Sequence, residues 1–258
     1  MMIVLNYKIS AMKQAIQFCN HPIYRKIRGI LSICKYIWFH GFTQPSWLLD
    51  YYGKKLGGSV SYKEKVPMDC NKNPLPWYTY SAIEYLTQFD YSKCTVFEYG
   101  SGNSSQFWAQ RALRVTSVES DKDWYWIGNQ NILSNQKLLL STEQIDYINS
   151  IHLENTCYDV IVIDGKYRYN CAVEAVKRIK SGGIIILDNS DWFPNATRLL
   201  QEAGLTQIDF IGVGPVNMYS WSTSLFFQNS LEIPRIISTG NVKVIGGLVQ
   251  VGEDDRLL

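Results

Sequence analysis

The sequence is short of most signals that would fix a function at once. It has no basic excess: 25 Lys and Arg stand against 23 Asp and Glu, a net charge of +2. That leaves no electrostatic footprint for a dedicated nucleic-acid binder, and none is expected as a partner. Only three histidines are present, and His21, His40 and His152 share no motif. The six cysteines, at 19, 34, 70, 94, 157 and 171, form no CxxC pair and no zinc-like spacing. They read as free thiols in a reducing cytosol. No apolar run is long enough to span a bilayer. The most apolar candidate, IRGILSICKYIWFHGF at 27–42, is interrupted by Lys35. The opening MMIVLNYKISAMKQAIQF lacks the basic segment and small-residue cleavage site of a secretory signal, so the expected location is cytoplasmic. There is no internal repeat and no low-complexity tract.

What is present is ordinary globular composition, 46% hydrophobic over 258 residues, enough for one large α/β domain with extensions. Aromatic residues reach 14%, and many crowd into the first ninety positions, so that region must bury its surface on something. Residues 1–56 read as two or three helices punctuated by Pro22 and Pro45. Segment 27–42 fits a helix packed on the domain or on a second subunit of a homodimer. Its flanking Arg25, Lys26 and Arg28 leave open a membrane-surface helix. Residues 57–76, rich in Gly, Pro, Lys and Asn, read as a loop. WYTYSAIEYLTQF then places Ile83, Leu86 and Phe89 at helical spacing.

From Cys94 the pattern alternates between buried strands (CTVFEY, RVTSVES, KLLLS, YDVIVIDG, GGIIILDNS) and helices. Strands that are apolar on both faces and alternate with helices imply a parallel sheet covered on both sides. LTQIDFIGVGP and YSWSTSLFFQ follow with only a short link, which predicts an antiparallel hairpin. The expected organisation is an N-terminal helical cap and loop at 1–76, an α/β domain at 77–230 and an extension at 231–258.

The first strand ends in VFEYGSGNSS. Glycines at 100 and 102 let the backbone turn tightly and approach a ligand. Asn103 or Ser104 is placed to cap the next helix. A dinucleotide loop would carry Gly or Ala at 105; here it is Ser105, and Glu98 precedes the loop. A carboxylate there would repel a pyrophosphate and suit a cationic nucleoside.

FEYGSGNSS resembles the ExGxGxS motif of class I S-adenosylmethionine (SAM)-dependent methyltransferases, and VTSVES resembles their second strand, which ends in an acid. YDVIVIDG and GGIIILDN resemble the fourth and fifth strands, and the closing hairpin the reversed seventh. The resemblance covers about residues 77–228. It implies a Rossmann-like fold, with a mainly parallel seven-stranded sheet and a C-terminal antiparallel hairpin. It also implies SAM as cofactor, contacted by Glu98, Gly100, Ser101, Gly102, Asn103, Glu119, Ser120, Ser141 and Asp164. Glu119, 19 residues past Gly100, inherits the role of holding the ribose hydroxyls. The segment at Trp77, Tyr78, Thr79 and Tyr80 either closes over the donor or clamps the N-terminal helices.

Asp164 ends the fourth strand, and Asp188 and Asn189 end the fifth, its neighbour. The trio resembles that of the divalent-metal-dependent O-methyltransferases of the catechol, caffeoyl-coenzyme-A and macrolide-sugar types. This implies Mg²⁺, or Mn²⁺ or Ca²⁺, on hard oxygen ligands. The alternative is that Asp164 meets substrate or SAM directly while Asp188 and Asn189 cap a helix. That family's lysine, three residues after its first metal Asp, is replaced here by Tyr167, with Lys166 and Arg168 on either side. Lys166 is a candidate base, and Arg168 a candidate grip on a substrate carboxylate or phosphate. Asp164, Lys166 and Arg168 are thus the candidate catalytic residues. No (D/N)PP(Y/F) stretch follows the fourth strand, unlike many N-methyltransferases of DNA and glutamine; DNSDW follows the fifth, with Trp192 placed to wall the acceptor pocket. The expected reaction is metal-assisted O-methylation of a small-molecule or glycan hydroxyl. A metal-independent N- or O-methyltransferase and a non-catalytic SAM-fold scaffold are the alternatives.

Overall fold

The computed structural model describes residues 30–34 and 49–228. The chain divides into two compact units, Met1–Gly53 and Lys54–Leu258. In the first, 30–34 form a helical turn with Ile30, Leu31 and Ile33 exposed. A stretch of π-helix runs over Leu49–Lys55. The remainder of the helices expected before 57, most of 27–42 and the extension at 231–258 lie outside the described residues.

In the second unit the elements run α1 (Gly58–Glu64), α2 (Tyr80–Leu86), β1 (Thr95–Tyr99), α3 (Asn103–Ala109), β2 (Arg114–Glu119), α4 (Lys122–Asn129) and β3 (Gln136–Leu140). Then come α5 (Gln144–Asn149), a 3₁₀ turn, β4 (Tyr158–Ile163), α6 (Arg168–Arg178), β5 (Ile179–Asp188), α7 (Pro194–Glu202), β6 (Thr206–Val213) and β7 (Ser220–Phe227). The seven strands form one sheet in the order β3-β2-β1-β4-β5-β7-β6. Strands β1 to β5 pair in parallel, and β7 pairs antiparallel with both β5 and β6. This is the class I methyltransferase fold with its reversed last strand.

Alternate residues of the central strands feed two cores, because successive side chains leave opposite faces of a sheet. Ile161 and Ile163 of β4, with Ile185 and Leu187 of β5, join Cys171 and Ala175 of α6 on one face. Val160, Val162 and Ile186 join Phe107 and Trp108 of α3 and Ile83 and Leu86 of α2 on the other. Each large side chain buried in this way contributes roughly 1.5–3 kcal/mol. No helix among the described residues is long and apolar enough to cross a membrane.

Three local expectations change. The predicted loop at 57–76 contains α1, a seven-residue helix whose flanks, Gly57 (φ 80°) and Lys65 (φ 59°), are both left-handed. Ser61 is its sole buried residue, and its hydroxyl donates to Met68 O at 2.7 Å and accepts from Met68 N at 2.9 Å. With no apolar stripe, the helix leaves no periodic signal. Secondly, helix α6 stops at Arg178, so Ile179 and Lys180 belong to β5. Phe89 lies beyond α2 and is exposed, with its ring edge-on to Tyr85.

The turns after β1 and β4 touch. Asp164 N donates to Tyr99 O at 3.0 Å, while Gly100 N donates to Val118 O of β2 at 2.9 Å. A Cβ on Gly165 would lie 2.0 Å from Tyr147 Oη and 2.9 Å from Gly100 N. Tyr147 is held in the core and cannot yield. Gly165→Ala should therefore destabilise the fold by about 1–3 kcal/mol, read by urea denaturation. A variant as stable as the parent would show that the two turns have room to separate.

Candidate active site

In open α/β sheets, ligands bind beyond the carboxyl ends of the strands, where the order reverses. Here β1 and β4 leave that reversal, and a cleft of about 630 Å³ lies there. Four strand ends supply it: Gly100 to Ser104 after β1, Glu119 to Asp121 after β2, Asp164 to Lys166 after β4, and Asp188 with Asn189 after β5. Trp77, Trp124, Trp192 and Tyr219 form aromatic walls, and Lys65, Val66, Pro67, Leu75, Arg168 and Asn217 complete the lining.

Gly100 (φ 100°) and Gly102 (φ 150°) both adopt backbone that side chains disfavour. A Cβ at Gly100 would press on Asp164 O at 3.2 Å, so the loop can lie this close to β4 only as glycine. The cap of α3 is Gly102, not the side chain of Asn103 or Ser104. Asn103 Nδ2 instead donates to Pro67 O at 2.6 Å, tying the segment after α1 to the loop.

Glu98 does not line the cleft. It is buried beneath the loop, where Ser117 Oγ donates to its Oε2 at 2.8 Å and Ser105 Oγ donates to the same oxygen. Ser105 Oγ in turn accepts from Gly102 N at 3.2 Å. This explains both departures from a dinucleotide loop: the acid at 98 and the serine at 105 are there for each other. Burial pushes the Glu98 carboxyl up to about 7, against the pull of the serine hydroxyls.

Glu119 does face the cleft. Its Oε1 accepts from Ser120 N at 2.7 Å and Asp121 N at 2.9 Å, and its Oε2 accepts from Ser101 Oγ at 2.8 Å. A carboxylate oxygen accepts more than one hydrogen bond, so both keep capacity for a diol. Ser120 lines the cleft, but Ser141 does not; its amide holds Glu119 O at 2.8 Å. Tyr78 and Thr79 also lie outside the lining, fully buried against β6 and β7. Thr79 caps α2, donates through its hydroxyl to Phe210 O at 2.9 Å, and donates its amide to Thr223 Oγ1 at 3.0 Å. Trp77, just before them, is the residue of that segment that reaches the cleft.

The predicted metal trio converges, but around an arginine. Arg168, at the start of α6, is buried over the ring of Phe193 at 4.5 Å. Its Nε donates to Gly165 O at 3.0 Å. One terminal nitrogen donates to Asp188 O and, at 2.9 Å, to Asn189 Oδ1. The other donates to Asp164 Oδ1 at 3.1 Å and Asp164 O at 3.3 Å. A guanidinium has five N–H donors, and all five are used internally. Arg168 therefore has none to spare for a substrate carboxylate or phosphate, which corrects that expectation. Asp188 Oδ1 accepts from Thr223 Oγ1 at 2.5 Å and Trp221 Nε1 at 3.0 Å.

These oxygens do not fit a divalent ion. A metal shared by Asp164 and Asn189 would meet a full positive charge already seated between them. Burial raises the Asp188 carboxyl well above the ordinary range, helped by the neighbouring Asp164 charge. Burial likewise raises Asp164 to about 7, opposed by Arg168. Lys166 is exposed at the cleft edge. Lys65, Trp124, Asn217 and Tyr219 carried no sequence signal as site residues. They belong to no motif, and only the fold brings them here.

No family model and no curated protein matches the chain. Solved structures do. Precorrin-6y C5,15-methyltransferase of Geobacter metallireducens is 12% identical, with TM-score 0.49, over 65% of this chain and 96% of that one. The O-methyltransferase TomG of Streptomyces achromogenes, solved with SAM, is 12% identical, with TM-score 0.49, over 67% and 88%. A methyltransferase of Pyrococcus furiosus is 18% identical, with TM-score 0.44, over 58% and 82%.

Glu98 offers a test of the buried loop anchor. Its folded pKa lies above the unfolded value, so the folded state holds the extra proton between about pH 4.5 and 7. Stability should fall as pH rises through that window. Glu98→Gln should flatten the fall, measured as melting temperature from pH 4.5 to 8. An unchanged slope would mean that Glu98 is ionised throughout.

Proposed function

We propose that this protein is a SAM-dependent methyltransferase acting on a hydroxyl of a small-molecule or glycan acceptor. One observation carries the reading: four neighbouring strand ends deliver the glycine loop, Glu119, Asp164 and Asp188 into a single cleft whose remaining walls are aromatic. The residues present fit SAM. The glycine turn leaves backbone bare at the cleft, Glu119 offers two oxygens to a ribose diol, and carboxylates suit a sulfonium and an ammonium while repelling a pyrophosphate. When bound, SAM supplies an electrophilic methyl group, and its transfer to oxygen leaves a neutral thioether.

The chain's own residues do the rest. Trp192 and Tyr219 stand with ring centroids 6.2 Å apart and planes inclined by 30°, a surface for an apolar ring or a sugar face. The Trp192 indole N–H is buried and has no hydrogen-bond partner among the described residues. Asp164 faces the cleft with 19% of its side chain exposed, and its carboxyl near 7 suits a general base at neutral pH. The acceptor hydroxyl gives its proton to Asp164 as the new O–C bond forms. Orientation in the cleft and exclusion of water supply the remainder of the rate.

Calorimetry with S-adenosylhomocysteine and label transfer from methyl-labelled SAM to small hydroxylated acceptors test the reading. Glu119→Ala should weaken S-adenosylhomocysteine binding about tenfold to a hundredfold, since it removes charge-assisted hydrogen bonds. The rate of transfer should rise with pH through about 7 as Asp164 loses its proton, and Asp164→Asn should cut it by about 10²–10⁴-fold. Binding indifferent to Glu119→Ala would remove Glu119 from the donor site. Absence of any binding would overturn the proposal.

A further inference from the structure

The Arg168 knot has more consequence than the loss of a metal site. Its guanidinium joins the turn after β4 to the turn after β5, through Asp164 and Gly165 on one side and Asp188 and Asn189 on the other. Two non-glycine residues of these turns, Tyr167 (φ 54°) and Asn189 (φ 52°), hold left-handed backbone. Such conformations persist only where the surroundings over-determine them. Tyr167 immediately precedes Arg168, and Asn189 is one of its acceptors. The strained backbone on both sides is thus organised around the guanidinium. The same group presents the Asp164 carboxylate to the cleft and compensates a pair of neighbouring carboxylates that would otherwise share a desolvated corner.

We propose that Arg168 is the resident cation of this site: a covalently supplied positive charge seated where a divalent ion would be held, which fixes Asp164 toward the acceptor and makes the chemistry metal-independent. The proposal rests on the methyl-transfer reading for what Asp164 does, but its electrostatic core does not. Arg168 is a positioning residue here. It touches Asp164, Asp188 and Asn189, and its donors are spent before a substrate arrives. A guanidinium suits this role better than an ammonium because its planar fork reaches carbonyl and carboxylate acceptors on two turns at once. Its charge is part of the chain, so the site would not depend on metal supply.

The test reads metal binding directly, by electron paramagnetic resonance titration of the full-length protein with Mn²⁺ in the presence and absence of S-adenosylhomocysteine. The wild type should bind no Mn²⁺ tighter than the millimolar range. Arg168→Ala unmasks Asp164 and Asn189 and should bind Mn²⁺ about tenfold or more tightly than wild type, because the repelling charge is gone. The double variant Arg168→Ala/Asp164→Asn should lose that gain. If Arg168→Ala does not fold, Arg168→Gln, which keeps much of the length and some of the donors, takes its place. Stoichiometric micromolar Mn²⁺ binding by the wild type, abolished in Asp164→Asn, would overturn the proposal. So would a folded Arg168 variant with no gain in Mn²⁺ affinity, since Arg168 would then not be what excludes the ion. Failure of the methyltransferase reading shows elsewhere, as absence of S-adenosylhomocysteine binding, and leaves the Mn²⁺ outcome interpretable.

Discussion

The site depends on a buried guanidinium with no donor left over. Desolvating one positive charge beside two carboxylates is favourable only when every hydrogen bond is made, because an unpaired buried charge costs far more than a neutral side chain. Arg168 meets that condition with acceptors drawn from two turns that are remote in sequence and adjacent in the sheet. The parallel pairing of β4 with β5 brings those turns side by side, in the register Ile163 to Leu187. The knot then fixes their relative height. Without that pairing Arg168 would keep three of its five acceptors; without Arg168 the ends of β4 and β5 would present like charges to each other.

A second polar assembly works from below. Glu98 is on β1, Ser117 on β2 and Ser105 on α3, and all three are buried. Through them the sheet holds the glycine loop by hydrogen bonds that no ligand needs to complete. The buried Tyr78 hydroxyl interacts with the Trp108 side chain and with the Glu98 charge, so the polar groups of this region are coupled. The two assemblies divide the labour. One sets the loop that would receive the donor, and the other sets the acid that would meet the acceptor. Thr223 links the second to the aromatic segment before α2, by accepting from Thr79 N and donating to Asp188 Oδ1.

The fold was legible because its signals are local. Apolar runs at 94–99 and 158–163, glycines at the strand ends and the missing helix before the last strand all follow from period and turn chemistry. The position of Glu119 and Asp164 in the cleft was legible for the same reason, since the end of a parallel strand is a sequence feature. What was not legible is direction. Glu98 and Glu119 are both strand-end acids, and nothing in the residues says that one points under the loop and the other into the cleft. The serines that decide it come from β2 and α3. Arg168 misled for a related reason. In sequence it is a charge in a loop; in space it is the first residue of a helix aimed at two strand ends. Helix α1 and Lys65 escaped notice because a short polar helix leaves no stripe.

The balance of charge in the cleft limits what it can accept. Glu119, Asp121, Asp164 and Asp188 line it, against Lys65, Lys166 and Arg168. Arg168 is spent on its neighbours, and the two lysines stand on separate segments, one before the Pro67 turn and one after β4. Carboxylates therefore dominate the fixed charge of the cleft, and its other walls are indole and phenol rings. A ligand carrying a phosphate against the glycine loop would face Glu119 and Asp164 with no guanidinium free to meet it. A cationic donor faces compensating charge, and an uncharged, flat or ring-shaped acceptor faces rings. Under the proposed reading the acceptor's proton would pass to Asp164, whose carboxyl is raised to about 7 and is held by Arg168 on the cleft side.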